Sequence, residues 1–296
     1  MDTTILEFLA APFAASLVIA GIHTYLGVHV VERGVIFVDL SLAQIAALGS
    51  TIALLLPFNE GALHGAWTYW ISLLFTLIGA AIFATIRSTK ARIPQEAIIG
   101  IAYAVASAGA MLAMSKATSE AEHLKDMLVG NILAVSWPEV RETAALYVVV
   151  GLFHYIFRKR FLAISLDHDH ADAKGLNVRW WDFLFYASLG FVVTRSVSIA
   201  GVLLVFCYLI VPSVGAMLYS QRIGRRLAIG WTMGGVVSAL GIYLSVALDL
   251  PTGPTMVCTF GLVLILMALV KPLFVRVGLL PGSPGSGTGS LDNLPA

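Results

Sequence analysis

The sequence predicts an all-α protein, a polytopic transmembrane bundle of eight or nine helices. Three observations predict it. Hydrophobic residues fill 58% of the 296 positions and charged residues only 12%, whereas a soluble domain carries about a quarter charged. Mean hydropathy is +0.89. The apolar residues gather into runs close to the ~20 residues that cross a bilayer. This composition excludes an ordinary soluble enzyme, a disordered chain and a secreted disulfide scaffold. The net charge of +1 names no acidic partner. Cys207 and Cys258 both lie inside apolar runs and read as small core residues, with no disulfide or redox role.

The first run, 9–31, follows a start in which Asp2 and Glu7 stand where a cleaved leader carries Lys or Arg, so it reads as a retained helix. Arg33 separates it from 35–56. PFNEGALHGAW (57–67) leads into 67–87. Arg87, Lys90 and Arg92 precede 94–116, where Glu96 follows Pro94 as an acid at a helix start. The acidic-leaning stretch 117–138 precedes 139–158. Arg158, Lys159, Arg160, Lys174 and Arg179 then surround the longest polar interruption, SLDHDHADAKGLNVRWWDF (165–183). Runs 179–195 and 197–219 divide at Arg195, and Pro212 sits in the second, as a bent membrane helix tolerates. Arg222, Arg225 and Arg226 introduce 226–248. DLPTGP (249–254) introduces 254–276, which contains Lys271 and ends at Arg276. Basic breaks alternate with breaks of little basic charge, so nine spans place the N-terminus outside and the C-terminus in the cytoplasm. If the segments around Arg195 form one broken helix, the count is eight and the N-terminus moves inside.

Residues 1–278 form the membrane domain, and 279–296 form a Gly/Ser/Pro-rich cytoplasmic tail read as disordered. Gly285, Gly287 and Gly289 in that tail echo a phosphate-binding loop. No strand precedes them, no helix follows and no Lys is placed for phosphate, so the chain has no ATPase site of its own.

Two stretches concentrate polar chemistry. In 165–183, Asp167, Ala171, Ala173 and Gly175 fit a short helix with an acid at its start and a glycine cap at its end. His168 and His170 alternate with acids as metal ligands would, but a two-residue spacing on a helix points the rings apart, so a solvated loop helix competes. In 26–49, His29 and Glu32 share a helix face, and Asp39 and Gln44 interrupt an apolar run. An ionisable group within a span is costly and usually faces the interior or a water-filled path. Asp39 is therefore either a path residue or a helix-end cap. Gln44 suits a hydrogen bond to a neighbouring helix. Ala43, Ala46, Ala47, Gly49 and Ser50 suit close packing. His23, His64, His123 and His154 are scattered and read as structural. Neither HExxH nor a nucleophile–base frame is present.

Six blocks in order then resemble the permease subunits of bacterial ABC importers for zinc, manganese and iron. They are Gly27, Arg33, Phe37 and Gly49; Glu96 with Ile99 and Gly100; Gly130 to Leu133; Asp167, Ala171, Ala173, Gly175, Val178 and Asp182; Gly201, Leu203, Leu204, Val205 and Pro212; and Gly241 through Gly253. The resemblance implies an inner-membrane homodimer, two cytoplasmic ATPase subunits that bind the ATP, and an external substrate-binding protein. A divalent transition metal is the implied cargo, with no permanently bound cofactor. It also implies that 167–178 is the coupling helix seated on the ATPase, carried by Asp167, Ala171, Ala173, Gly175 and Asp182. One departure stands out. The family places an Asp and a His four residues apart on its second helix, and those positions here are Leu40 and Gln44. Asp39 is one residue away, about 100° around the helix and about 140° from Gln44. Zinc prefers His, thiolate and carboxylate ligands, and Gln supplies a harder neutral oxygen. Three expectations follow: a bulge restores Asp39 to register, or His29, Glu32 and Asp39 form a different site, or the cargo is a chelate or organic solute. A metal-dependent intramembrane enzyme built on His29, Glu32 and Asp39, and a membrane scaffold without transport, stand as the alternatives from other classes.

Overall fold

A computed structural model describes residues 3–56, 64–86, 93–115, 132–166, 171–172 and 174–276. The described residues form ten longer α-helices and a short 3-10 turn, Ile132–Ala134, with no strand among them. In order these are α1 (Thr3–Glu32), α2 (Val38–Leu55), α3 (His64–Ile86), α4 (Gln95–Met114), α5 (Trp137–Ile156), α6 (Arg158–Leu166), α7 (Val178–Ala200), α8 (Val202–Tyr219), α9 (Ile223–Ala247) and α10 (Thr252–Arg276). Eight of the nine predicted runs lie on a single helix each, and 197–219 begins on the end of α7 before α8. Eight of these helices are long and apolar enough to cross a membrane. α5 qualifies only together with α6, which bends away from it by 75°.

The boundaries have local causes. α1 ends in a Schellman motif: Gly34 at φ +67 donates its N–H to the Val31 carbonyl, and Val35 donates to Val30. Ser136 and Glu139 form a capping box at the start of α5. The Asn177 side chain accepts the Trp180 N–H at 3.2 Å and starts α7. α4 begins after Pro94 with no side-chain cap, so Glu96 does not close that end by a hydrogen bond.

The predicted division at Arg195 is corrected. α7 continues through Arg195, whose guanidinium donates to Thr143 at 3.1 Å and to Glu142 at 2.9 Å on α5. The break falls at Gly201, with φ 76 and ψ 161, a conformation that essentially only glycine adopts. Two helices stand here rather than one broken helix.

Cross-links between helices sort their ends into two groups. Arg33 reaches Ser165 and Asp182, and Glu32 reaches Arg226. Gln95 donates to the Phe83 carbonyl at 3.1 Å and to the Tyr186 hydroxyl at 3.2 Å. The end of α1, the α5–α6 bend and the starts of α2, α4, α7 and α9 therefore share one end of the bundle. The breaks bearing Arg33, Arg158 and Arg226 lie together there, as the charge pattern requires. Arg195 with Glu142, and Ser245 with Thr252 at 2.7 Å, mark the opposite end.

α1, α2 and α7 are the most buried of the candidate spans. α1 packs on α8 and α9, while α7 packs on α3 and α2. The first contact is very close: a Cβ on Gly27 would lie 1.9 Å from the Leu209 carbonyl oxygen of α8. α4 and α10 sit outermost and expose Ile101, Val105, Leu112, Leu262, Leu266 and Leu269, an apolar face suited to lipid or to another helix.

Candidate functional site

α2 starts abruptly. Phe37 precedes it without a side-chain cap, and the Ser41 N–H bonds the Phe37 carbonyl at 3.0 Å. Asp39 sits in this first turn and is 1% exposed. Neither of its carboxylate oxygens has a hydrogen-bond partner among the described residues, and neither does the buried Ser41 hydroxyl. The helix-end cap reading thus lacks its hydrogen bond. The Tyr147 phenol of α5 lies within electrostatic reach of the Asp39 carboxylate. Removing an unpaired carboxylate from water costs several kcal/mol. Among the described residues no hydrogen bond offsets that cost at Asp39.

Gln44 is also buried, and Leu40 is half-buried. α2 is an uninterrupted α-helix from Val38 to Leu55, so the expected bulge is not there. Asp39 and Gln44 remain about 140° apart.

The expected joining of His29, Glu32 and Asp39 does not occur. His29 Nδ1 pairs with the Ser165 hydroxyl of α6 at 2.9 Å, and its ring meets Tyr25 at 4.8 Å. Glu32 forms an ion pair with Arg226, whose Nε donates to the Ser220 carbonyl at 2.8 Å. Two residues on one helix face thus serve different neighbours. The described residues contain no group of three or more His, Cys, Asp and Glu placed to hold a metal ion. His154 stacks on Phe161 at 4.3 Å and pairs through Nε2 with the Ser188 hydroxyl at 2.7 Å. His23 bonds the Ile19 carbonyl at 2.9 Å. Both sit as packed core groups.

In the polar interruption, Asp167, His168, His170 and Ala173 lie outside the described residues, as do His123 and the tail beyond Arg276. The end of the segment shows the expected glycine cap. Gly175 has φ +78 and donates to the Asp172 carbonyl at 2.9 Å, and Leu176 donates to Ala171 at 3.2 Å. Asp172, Lys174, Gly175 and Asn177 are exposed, while Ala171 is buried. Asp182, given a coupling role by the resemblance, lies beneath the segment. It is 1% exposed and ion-paired with Arg33, so it anchors the segment from below and offers no surface to a partner.

Two residues gain weight that sequence reasoning did not give them. Glu96, read as a helix-start acid, keeps Oε2 buried and without a hydrogen-bond partner among the described residues, on a helix that packs along α2. Arg33, read as a basic break, is 8% exposed and binds two other helices. Its signal was a lone Arg next to a Gly between two apolar runs.

Comparison with known proteins fits this geometry. The model of the ABC 3 transport family matches residues 5–271. The chain is 26% identical to the manganese transport system membrane protein MntC of Listeria innocua over 265 residues, covering 90% of this chain and 91% of that protein. It is 26% identical to the chelated iron transport system membrane protein YfeC of Yersinia pestis over 263 residues, covering 85% of each. Among solved structures it resembles PsaBC from Streptococcus pneumoniae in complex with Fab, with a TM-score of 0.75 at 22% identity over 92% of this chain and 95% of that one. The last likeness shows a shared fold.

Proposed function

The chain belongs to the ABC 3 transport family, and from that premise we propose that it carries a divalent transition-metal ion, manganese or ferrous iron, past Asp39. It is a membrane permease subunit and not an enzyme. The observation that carries the cargo reading is the Asp39 carboxylate, buried inside the bundle with neither oxygen hydrogen-bonded among the described residues. A fixed negative charge there lowers the cost of stripping water from a cation, and a neutral chelate would gain nothing from it. The position offers carboxylate oxygen from Asp39, while the Ser41 hydroxyl and Gln44 lie on other sides of α2. A carboxylate without a thiolate or imidazole beside it suits manganese better than zinc. The relative named for manganese supports this cargo, and the relative named for chelated iron supports the wider class of transition-metal cargo.

Membership of the family supports the remaining parts of this reading. Two copies of this chain line the path, two ATPase subunits bind ATP and seat on 167–178, and an external binding protein delivers the ion. The exposed Asp172, Lys174 and Gly175, held on a rigid glycine-capped turn, suit that docking role. The direct test is ATP-dependent uptake into vesicles that contain the complete complex. Manganese or ferrous ion should accumulate faster than zinc. Accumulation of a ferric chelate alone, with no uptake of the bare ions, would contradict the cargo reading.

A further inference from the structure

Five groups from three parts of the chain meet at the end of the bundle that carries the polar interruption. Arg33 Nε donates to the Ser165 hydroxyl at 2.9 Å, and Nη1 donates to Asp182. The guanidinium lies over the Phe185 ring, 4.0 Å from its centroid. His29 shares the same Ser165 hydroxyl at 2.9 Å. Ser165 is in the last turn of α6 and Asp182 in the first turns of α7, so they are the two shoulders of the 167–178 segment. One guanidinium holds both. Arg33 itself lies in the α1–α2 break, directly before Gly34 at φ +67 and six positions before Asp39.

We infer that Arg33 is a positioning residue that transmits movement of the 167–178 segment to the start of α2, and so sets where the Asp39 carboxylate stands. The inference rests on the reading of that segment as the ATPase docking site. Stability explains the arrangement poorly. Both side chains of the Arg33–Asp182 pair are out of solvent, at 0% and 1% exposure. A buried ion pair gives little or no net stability over apolar residues of similar volume. A rigid planar fork can grip two groups at once, which a lysine ammonium on a flexible stem does poorly. Arg33 thus ties both shoulders to one point of the backbone. Because Asp39 makes no hydrogen bond among the described residues, a shift of α2's first turn changes its setting without breaking a bond.

The test uses the complete complex in vesicles and reads manganese ions imported per ATP hydrolysed. Three variants separate coupling from folding. Ser165→Ala removes the shared hydroxyl. Arg33→Lys keeps the charge and loses the fork. The pair Arg33→Met with Asp182→Leu removes both buried charges together, which avoids stranding one of them. In each, the complex should assemble and hydrolyse ATP, and the import ratio should fall by about fivefold or more, the low end of coupling between distant sites. An unchanged ratio in Ser165→Ala overturns the inference, even if the paired variant fails to assemble. The docking reading is tested separately by Lys174→Glu with Gly175→Val. Normal assembly and pumping there overturn that reading and this inference with it, whereas an unchanged ratio in Ser165→Ala overturns this inference alone.

Discussion

Replacing Gly27 by alanine should destabilise the bundle, although alanine is the better helix former. A Cβ at this position would meet the Leu209 carbonyl oxygen at 1.9 Å and the Ser213 hydroxyl at 2.4 Å. Ordinary contact begins near 3.4 Å, so α1 and α8 would have to part by about 1.5 Å at their crossing. The Leu209 oxygen is helix backbone and cannot swing aside. The Ser213 hydroxyl is held by the carbonyls of Leu209 at 2.8 Å and Thr24 at 3.2 Å. Overpacking of this kind costs about 1–3 kcal/mol, and the backbone obstacle puts Gly27 at the upper end. Gly21, also on α1, is the control, because a Cβ there meets nothing within 4 Å. Gly21→Ala should gain roughly 0.5–1 kcal/mol from propensity alone. The two variants should therefore differ by about 3 kcal/mol, near a hundredfold in the folding equilibrium. Thermal unfolding of the purified permease in detergent measures this, with Gly27→Ala melting well below wild type and Gly21→Ala at or above it. Equal melting of the two variants would refute the close crossing.

At Gly175, space is open and only the backbone objects. Valine there should cost about 1–2 kcal/mol locally and reduce co-purification of the ATPase subunits, while asparagine should be tolerated better. Gly201→Ala should cost on the order of 1–3 kcal/mol at the α7–α8 joint and appear as a lower yield of folded protein. Single cysteines at 174 and at 250, in a chain without Cys207 and Cys258, should label from opposite membrane faces. Labelling from the same face would break the alternation of helices. The purified chain alone should hydrolyse no ATP, which a coupled phosphate-release assay measures.

Local features were readable in the sequence. Nine apolar runs of the right length marked nine helices, and Gly175 after two alanines marked a glycine cap, because hydropathy and left-handed backbone are written within a few residues. What failed depended on distant partners. Arg195 reads as a break because its charge interrupts an apolar run, yet Glu142 of α5 meets that charge and the helix continues. The true joint, Gly201, differs from any other glycine only in its backbone angles. His29 and Glu32 share a face, so they looked like one site, but each is claimed by a different helix, through Ser165 and Arg226. Asp182 carried a coupling role by resemblance, and only the structure shows it buried beneath the surface and paired with Arg33. The isolation of Asp39 was likewise invisible, since helix spacing says which residues share a face but not whether a partner waits opposite.

The central claim is that the Asp39 charge meets the transported ion. Asp39→Asn preserves the shape of the side chain and removes only that charge. Initial rates of ATP-dependent manganese uptake in vesicles, with the full complex assembled, test it most directly. The account predicts that Asp39→Asn assembles and melts at or slightly above wild type, because no buried charge remains to be desolvated, yet loses most of its uptake. Uptake at the wild-type rate in Asp39→Asn would contradict the account and leave a neutral chelate or organic solute as the cargo.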